Sequence, residues 1–251
     1  MTPEQGAQLA RKLVTARRDG IAVAVDDSLP RPGTEADAYR LQAQVVRAIG
    51  PVGGFKTARK PGTPQILAPI FAADIHPAPA RIGAGLTRLI GIELEVGFLL
   101  RCALPVTQGP ELRAAVPGCF SLVPAIEIVE SRLDDLDAAD ALLRLADNQI
   151  NGGLVLGTPV TDWSDFDPAA LTARLVFGGE VLLDGPAQIP GGDPVETVSR
   201  FVERLGDHCG GLQPGQVVIT GSLNGLPFVE RGATAQGRID GLGAVTARFA
   251  P

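Results

Sequence analysis

Apolar residues in the first fifty positions recur at helical spacing. Leu9, Leu13 and Ala16 fall at i, i+4 and i+7, the spacing of one helix face. Ahead of them, Thr2-Pro3-Glu4-Gln5 offers an N-cap, a proline at the first helical position and a glutamine at the third, and Gly20 can close the helix. A second stripe, Ala38, Leu41, Val45, Ala48 and Ile49, predicts a helix that starts at Thr34 with Asp37 at its third position and ends at Gly50. Leu29-Pro30-Arg31-Pro32-Gly33 reads as the linker between them.

From Val52 the pattern shortens to that of strands. Leu89–Leu100 alternates, Ala125–Val129 is a short apolar run, and Thr172–Val176 and Val181–Leu183 flank Phe177-Gly178-Gly179-Glu180, a tight hairpin signal. Asp193-Pro194-Val195-Glu196 repeats the capping pattern and predicts a helix burying Val195, Val198, Val202 and Leu205 and stopping near Gly210-Gly211. Val217–Thr220, Thr234–Ile239 and Ala244–Phe249 read as closing strands, the last two joined across Gly241-Leu242-Gly243. The expectation is an α+β chain: a helical N-terminal segment over residues 1–50 and a mostly β body over 51–251, forming one compact unit.

Composition agrees and narrows the function. With 45% hydrophobic and 20% charged residues in 251 positions, the chain can build a substantial core. Its 31 glycines and 21 prolines lie scattered, which suits many short strands and turns. The net charge of −6 argues against a nucleic-acid partner, because phosphate neutralisation supplies most of that affinity. No apolar run approaches the about 18 residues of a membrane span, and the N-terminus lacks a secretory pattern. Three cysteines without a C-x-x-C pair disfavour a disulfide framework or thiolate zinc site. A cytoplasmic protein is the expectation. Gly83-Ala84-Gly85-Leu86-Thr87-Arg88 lacks the third glycine of a dinucleotide fingerprint. Two histidines, His76 and His208, leave few partners for a Ser-His-Asp site.

The chemistry concentrates in three glutamates. In Gly91-Ile92-Glu93-Leu94-Glu95-Val96-Gly97-Phe98-Leu99-Leu100 a strand places Glu93 and Glu95 on one face and Ile92, Leu94 and Val96 on the other. A strand with one wet face would explain this alone. However, the glutamate face turns apolar again at Leu99, and Glu127 stands in the equally apolar Pro124-Ala125-Ile126-Glu127-Ile128-Val129. Two charges about 4 Å apart repel by about 4 kcal/mol at an effective dielectric near 20. Such carboxylates must therefore hold protons or share a cation. Oxygen ligands without histidine or cysteine point to Mg²⁺, Mn²⁺ or Ca²⁺.

Glu93-x-Glu95 followed by Glu127 resembles the metal site of the fumarylacetoacetate hydrolase superfamily. The surrounding segments are most similar to its branch of 2-keto-4-pentenoate hydratases and 4-oxalocrotonate decarboxylases. They are Pro124-Ala125-Ile126-Glu127-Ile128-Val129-Glu130-Ser131-Arg132, Ala146-Asp147-Asn148, Gly153-Leu154-Val155-Leu156-Gly157, Thr220-Gly221-Ser222 and Gly241-Leu242-Gly243-Ala244-Val245. The resemblance implies a mixed β-sheet or β-roll body of that superfamily's C-terminal-domain type. It implies a divalent cation, Mg²⁺ or Mn²⁺, on Glu93, Glu95 and Glu127. Lys56, in Gly54-Phe55-Lys56, would lie against the substrate, and Asp74 would act as a general acid/base. Asn148, Asn151 and Ser222 would line the pocket. The loop Lys56-Thr57-Ala58-Arg59-Lys60-Pro61 departs from the branch and shapes the substrate end.

The implied activity is a lyase reaction, hydration of a 2-hydroxy-2,4-dienoate or 2-oxo-enoate to a 4-hydroxy-2-oxo acid, as in aromatic-compound catabolism. Decarboxylation of a 4-oxalocrotonate-type acid and C–C hydrolysis of an acylpyruvate use the same enolate chemistry. A non-catalytic metal-binding member is the alternative from another class. The resemblance further implies a homo-oligomer and a small 2-oxo or dienoic acid as partner.

Overall fold

The computed structural model describes residues 1–59, 62–85 and 89–251. The Lys60-Pro61 part of the divergent loop and Leu86–Arg88 of the glycine motif lie outside the described residues.

Local signals act where they are strongest. Helices α1 (Pro3–Asp19) and α2 (Glu35–Ile49) both carry a reciprocal capping box, Thr2 with Gln5 and Thr34 with Asp37. Gly20 closes α1 with φ 70°, a left-handed conformation that costs glycine little. The apolar stripes of the two helices form one buried cluster with Phe71, Leu133 and Leu143, so residues 1–50 share a core with the body.

The body contains β1 (Val52–Lys56), β2 (Ala68–Phe71), β3 (Ile75–Pro77), β4 (Ala80–Ile82), β5 (Leu89–Leu100), α3 (Gly109–Cys119) and β6 (Phe120–Val129). After α4 (Ala141–Ala146) come β7 (Asn151–Leu156), β8 (Thr172–Phe177), β9 (Glu180–Pro186) and α5 (Pro194–Leu205). β10 (Val217–Ile219), β11 (Phe228–Glu230), β12 (Thr234–Ile239) and β13 (Gly243–Phe249) complete it. Helix α5 stops earlier than the sequence suggests: Gly206 caps it with φ 52°, and a separate short turn covers His208–Gly210. Strand β6 begins earlier than expected, because Pro124 lies just past the β7 ladder, where its carbonyl accepts from the Gly157 N–H at 2.8 Å. The Trp163 indole N–H donates to the Phe120 carbonyl at 3.0 Å, anchoring the loop between β7 and β8.

Among the described residues the strands form two mixed sheets. The larger runs β2-β1-β10-β5-β6-β7-β3 with β11 against the start of β5, and the smaller runs β4-β13-β12-β8-β9. The two edges of the larger sheet, β2 and β3, are joined by only three residues, Ala72–Asp74. Three residues span about 10 Å at most, so the sheet must curl until its edges meet. The buried contents confirm the curl: Ile70 of β2 and Leu154 of β7 share one cluster with Val123, Ala125, Val217 and Ile219, although β1, β10, β5 and β6 lie between them in the sheet. Small inner residues permit this curvature. A Cβ on Gly54 would lie 2.5 Å from the Val217 carbonyl oxygen, and one on Gly97 2.9 Å from Val123 Cγ1. The outer face, with Ile92, Leu94, Val96 and Phe98, packs on Leu175, Ala235 and Val245 of the smaller sheet and on Val198 and Phe201 of α5. The expected α+β class with a rolled mixed sheet is the observed one.

Candidate metal and substrate site

β5 and β6 pair antiparallel with Glu93 directly opposite Glu127 and Glu95 opposite Ala125. With a side-chain period of two, this register puts all three glutamates on the inner face of the curl. Their carboxylates each offer an oxygen, and these oxygens lie within 4.8 Å of one another. Glu127 is fully buried and Glu95 is 1% exposed. Lys56, at the end of β1, donates from Nζ to Glu127 Oε1 at 2.6 Å and to the Gln149 carbonyl at 3.4 Å. Asn151 Nδ2 donates to the same Glu127 oxygen at 2.8 Å, and the Gly221 N–H to Glu95 Oε2 at 2.6 Å. Glu127 Oε2 is buried without a hydrogen-bond partner.

This crowding sets the electrostatics. Burial, and then the Glu127 carboxylate, push Glu93 up to about 8. Burial, Glu127 and Glu93 likewise hold Glu95 well above the usual carboxylate range. For Lys56 burial pulls downward, but Glu127, Glu93 and Glu95 outweigh it and keep the ammonium above its ordinary value. An unsatisfied buried acceptor costs about 1–3 kcal/mol, and the orphaned Glu127 Oε2 faces that cost. A hard divalent cation would relieve both the repulsion and the missing contact, and the all-oxygen donor set fits such an ion.

The cluster opens into a cavity of about 440 Å³, lined on its polar side by Lys56, Glu93, Glu95 and Ser222 and on its apolar side by Ile66, Val129, Ile150, Pro190 and Leu226. Gln149 and Ile150 line it, and Asn148, Gln149 and Ile150 have successive φ angles of 50°, 51° and 55°. Such residues cost about 1–3 kcal/mol each and persist only where the surroundings overdetermine them. Here a buried ion pair does so. Arg132 Nε donates to Asp147 Oδ1 at 2.6 Å, its Nη2 to the Asp147 carbonyl at 2.8 Å, and its Nη1 to the Asn151 carbonyl at 2.6 Å. Ser131 Oγ and the Arg132 N–H both donate to Asp147 Oδ2 at 3.0 Å. The turn is thus clamped at both ends.

Residues 53–250 match the family described as fumarylacetoacetate (FAA) hydrolase C-terminal. The chain belongs to that family. It is 34% identical over 246 residues to 2-keto-4-pentenoate hydratase 1 of Dechloromonas aromatica (strain RCB), covering 93% of this chain and 89% of the relative. It is 25% identical over 228 residues to 4-oxalocrotonate decarboxylase of Pseudomonas putida, 86% of each chain. In fold it is similar to 4-oxalocrotonate decarboxylase from Pseudomonas putida G7 complexed with calcium and acetate, with a TM-score of 0.80 at 22% identity over 99% of this chain and 98% of that one. Fumarylpyruvate hydrolase from Pseudomonas aeruginosa, in complex with Mn²⁺ and pyruvate, gives a TM-score of 0.55 at 17% identity over 78% of this chain and 88% of that one.

In this fumarylacetoacetate hydrolase-family chain the curl brings Lys56, Glu93, Glu95, Glu127, Asn151 and Ser222 to one region. Ser222 lines the cavity and donates from Oγ to the Gly225 carbonyl at 2.6 Å. Asn148 is buried with neither amide atom hydrogen-bonded, and it does not line that cavity. Asp74 is also outside the cavity lining: its Oδ2 accepts from Arg17 Nη1 at 2.9 Å. The sequence reading missed Gln149, Arg132, Asp147 and Arg17 as parts of the surroundings. Arg132 and Asp147 sit inside two of the segments that carry the resemblance, which is the signal that could have found them. Arg17 has none, being an arginine on a helix 134 residues from the carbonyl it contacts.

Proposed function

We propose that the chain is a divalent-cation-dependent hydro-lyase that hydrates a short 2-hydroxy-2,4-dienoate, such as the dienol of 2-keto-4-pentenoate, to a 4-hydroxy-2-oxo acid. The observation that carries this reading is the three-carboxylate cluster with one orphaned buried oxygen, set beside a cavity that the Lys56 ammonium also lines. Near-full-length similarity to proteins named 2-keto-4-pentenoate hydratase supports the reaction.

Glu93, Glu95 and Glu127 would hold the cation, Mg²⁺ or Mn²⁺ as the family resemblance implies, and carboxylate ligands suit either. Once bound, it would supply Lewis-acid stabilisation for the 2-oxygen of the substrate as negative charge develops there. Hydration requires a proton on the dienol terminus and then water at carbon 4. Lys56, whose ammonium stands between Glu127 and the cavity, is the group placed to hold the substrate and deliver that proton. Ser222 offers a hydroxyl at the wall, and Ile66, Val129 and Leu226 offer an apolar surface for the alkene. Asp74 is the second proton-transfer candidate. From its place on Arg17 it would reach the substrate only through intervening groups, so Asp74→Asn separates a direct role, with a rate loss of about 10²–10⁴-fold, from a supporting one.

The test is the loss of conjugated ultraviolet absorbance from 2-hydroxypenta-2,4-dienoate with enzyme and Mg²⁺ or Mn²⁺, and its abolition by a chelator. Carbon dioxide release from a 2-oxo dicarboxylate, or cleavage of an acylpyruvate into two acids, would replace hydration with decarboxylase or hydrolase chemistry. Absence of turnover across all three substrate classes by cation-loaded protein would mark a non-catalytic member.

A further inference from the structure

The family match begins at residue 53, yet one side chain from well before it reaches the surroundings of the glutamate cluster. Arg17, in the last turn of α1, donates from Nη1 to Asp74 Oδ2 at 2.9 Å and from Nη2 to the Asn151 carbonyl at 3.3 Å. Its guanidinium carbon lies 4.7 Å from the centroid of the Phe71 ring. Asn151 is the residue whose side-chain amide holds Glu127 Oε1, and Arg132 donates to the same Asn151 carbonyl. Two guanidinium groups therefore converge on one backbone oxygen, one residue beyond the left-handed turn.

We infer that Arg17 is a positioning residue for the carboxylate cluster, acting through the Asn151 carbonyl to fix the amide that orients Glu127. Placing it there is costly: burial first, and then Arg132, lower its pKa to about 10. A side chain needed only to dock the helix would not have to sit beside a second arginine. The fork serves two acceptors at once, the Asp74 carboxylate and the Asn151 carbonyl, while its flat face covers Phe71. A lysine cannot reproduce that arrangement. Asp74 then has a defined part as well, supplying the charge that balances the fork and aims it. The N-terminal segment so becomes a working part of the site and not only a cover over the core.

The inference rests on the cation reading, and titration of Mn²⁺ into chelator-treated full-length protein, followed by calorimetry, tests both. The wild-type protein should bind one Mn²⁺. Arg17→Gln should weaken the dissociation constant about 10-fold, as removal of groups that orient metal ligands does, and Arg17→Lys should recover only part of that. Leu13→Ala removes buried packing from the same face of α1. It should lower the melting temperature while leaving Mn²⁺ affinity within about twofold. Equal weakening by Leu13→Ala and Arg17→Gln would reduce Arg17 to helix docking and overturn the inference. Unchanged Mn²⁺ affinity in folded Arg17→Gln or Arg17→Lys would overturn it too, with the cation reading intact. Failure of the wild-type protein to bind Mn²⁺ would remove the cation reading and the inference together.

Discussion

Glu93 shows how far surroundings can move one group. Its folded pKa of about 8 stands far above the unfolded value near 4.3, and Glu95 is shifted the same way. A carboxyl raised on folding binds protons in the native state, so its stabilisation is complete below about pH 4.3 and is lost as pH rises through about 8. The chelated protein should therefore melt at progressively lower temperature from pH 5 to pH 8.5, and Glu93→Gln should flatten that slope. A bound cation replaces the protons, so the melting increment from Mn²⁺ should grow over the same window. Equal slopes in calorimetric scans of wild type and Glu93→Gln would contradict this crowding. Lys56 offers a second test. Lys56→Met should lower kcat by about 10²–10⁴-fold if it delivers a proton, while Mn²⁺-induced stabilisation persists. Retention of wild-type kcat would take Lys56 out of the reaction.

At the scale of elements, two contrasting devices build the molecule. Helix ends are local: Thr34 and Asp37 satisfy each other's backbone donors, and Thr34→Ala should cost about 1 kcal/mol in a urea titration. The curl of the larger sheet is not local. Gly54 faces the Val217 carbonyl at a distance no Cβ can occupy, so Gly54→Ala must push β1 from β10 and distort the strand that carries Lys56. Its cost should exceed that of the cap variant, at about 2 kcal/mol or more on the scale of overpacked cores, with a loss of kcat beyond the loss of stability. A Gly54→Ala protein as stable as wild type would show that the sheet can relax there. The same contrast governs what could be read from the chain. Caps at Thr2 and Thr34, the Gly178-Gly179 hairpin and the bounds of β5 were legible because each depends on neighbours in sequence. The early stop of α5 at Gly206 and the early start of β6 across Pro124 depended on partners elsewhere.

For the whole molecule, a cation held by Glu93, Glu95 and Glu127 would couple the site to folding. At about 100 times its dissociation constant, it should add about 2.7 kcal/mol of stability. In a domain of this size that is roughly 5–10 °C in melting temperature, to be read with and without a chelator. No change would argue that the cluster stays protonated and takes no ion. Glu93, Glu95 and Glu127 were legible as a cluster because glutamate is out of place in apolar strands, and the family resemblance pointed to Lys56, Asn151 and Ser222 as its neighbours, of which Lys56 and Ser222 line the cavity and Asn151 holds Glu127. What the chain determined by itself was therefore the short-range content: helix caps, strand periodicity, turn glycines and three misplaced carboxylates. Tertiary structure alone decided that Glu93 stands opposite Glu127, that Arg132 and Asp147 clamp a left-handed turn, and that Arg17 and Asp74 meet across 57 residues. Register and ion pairing between distant segments depend on how the sheet curls and what its edges meet, and no window of neighbouring residues contains that information.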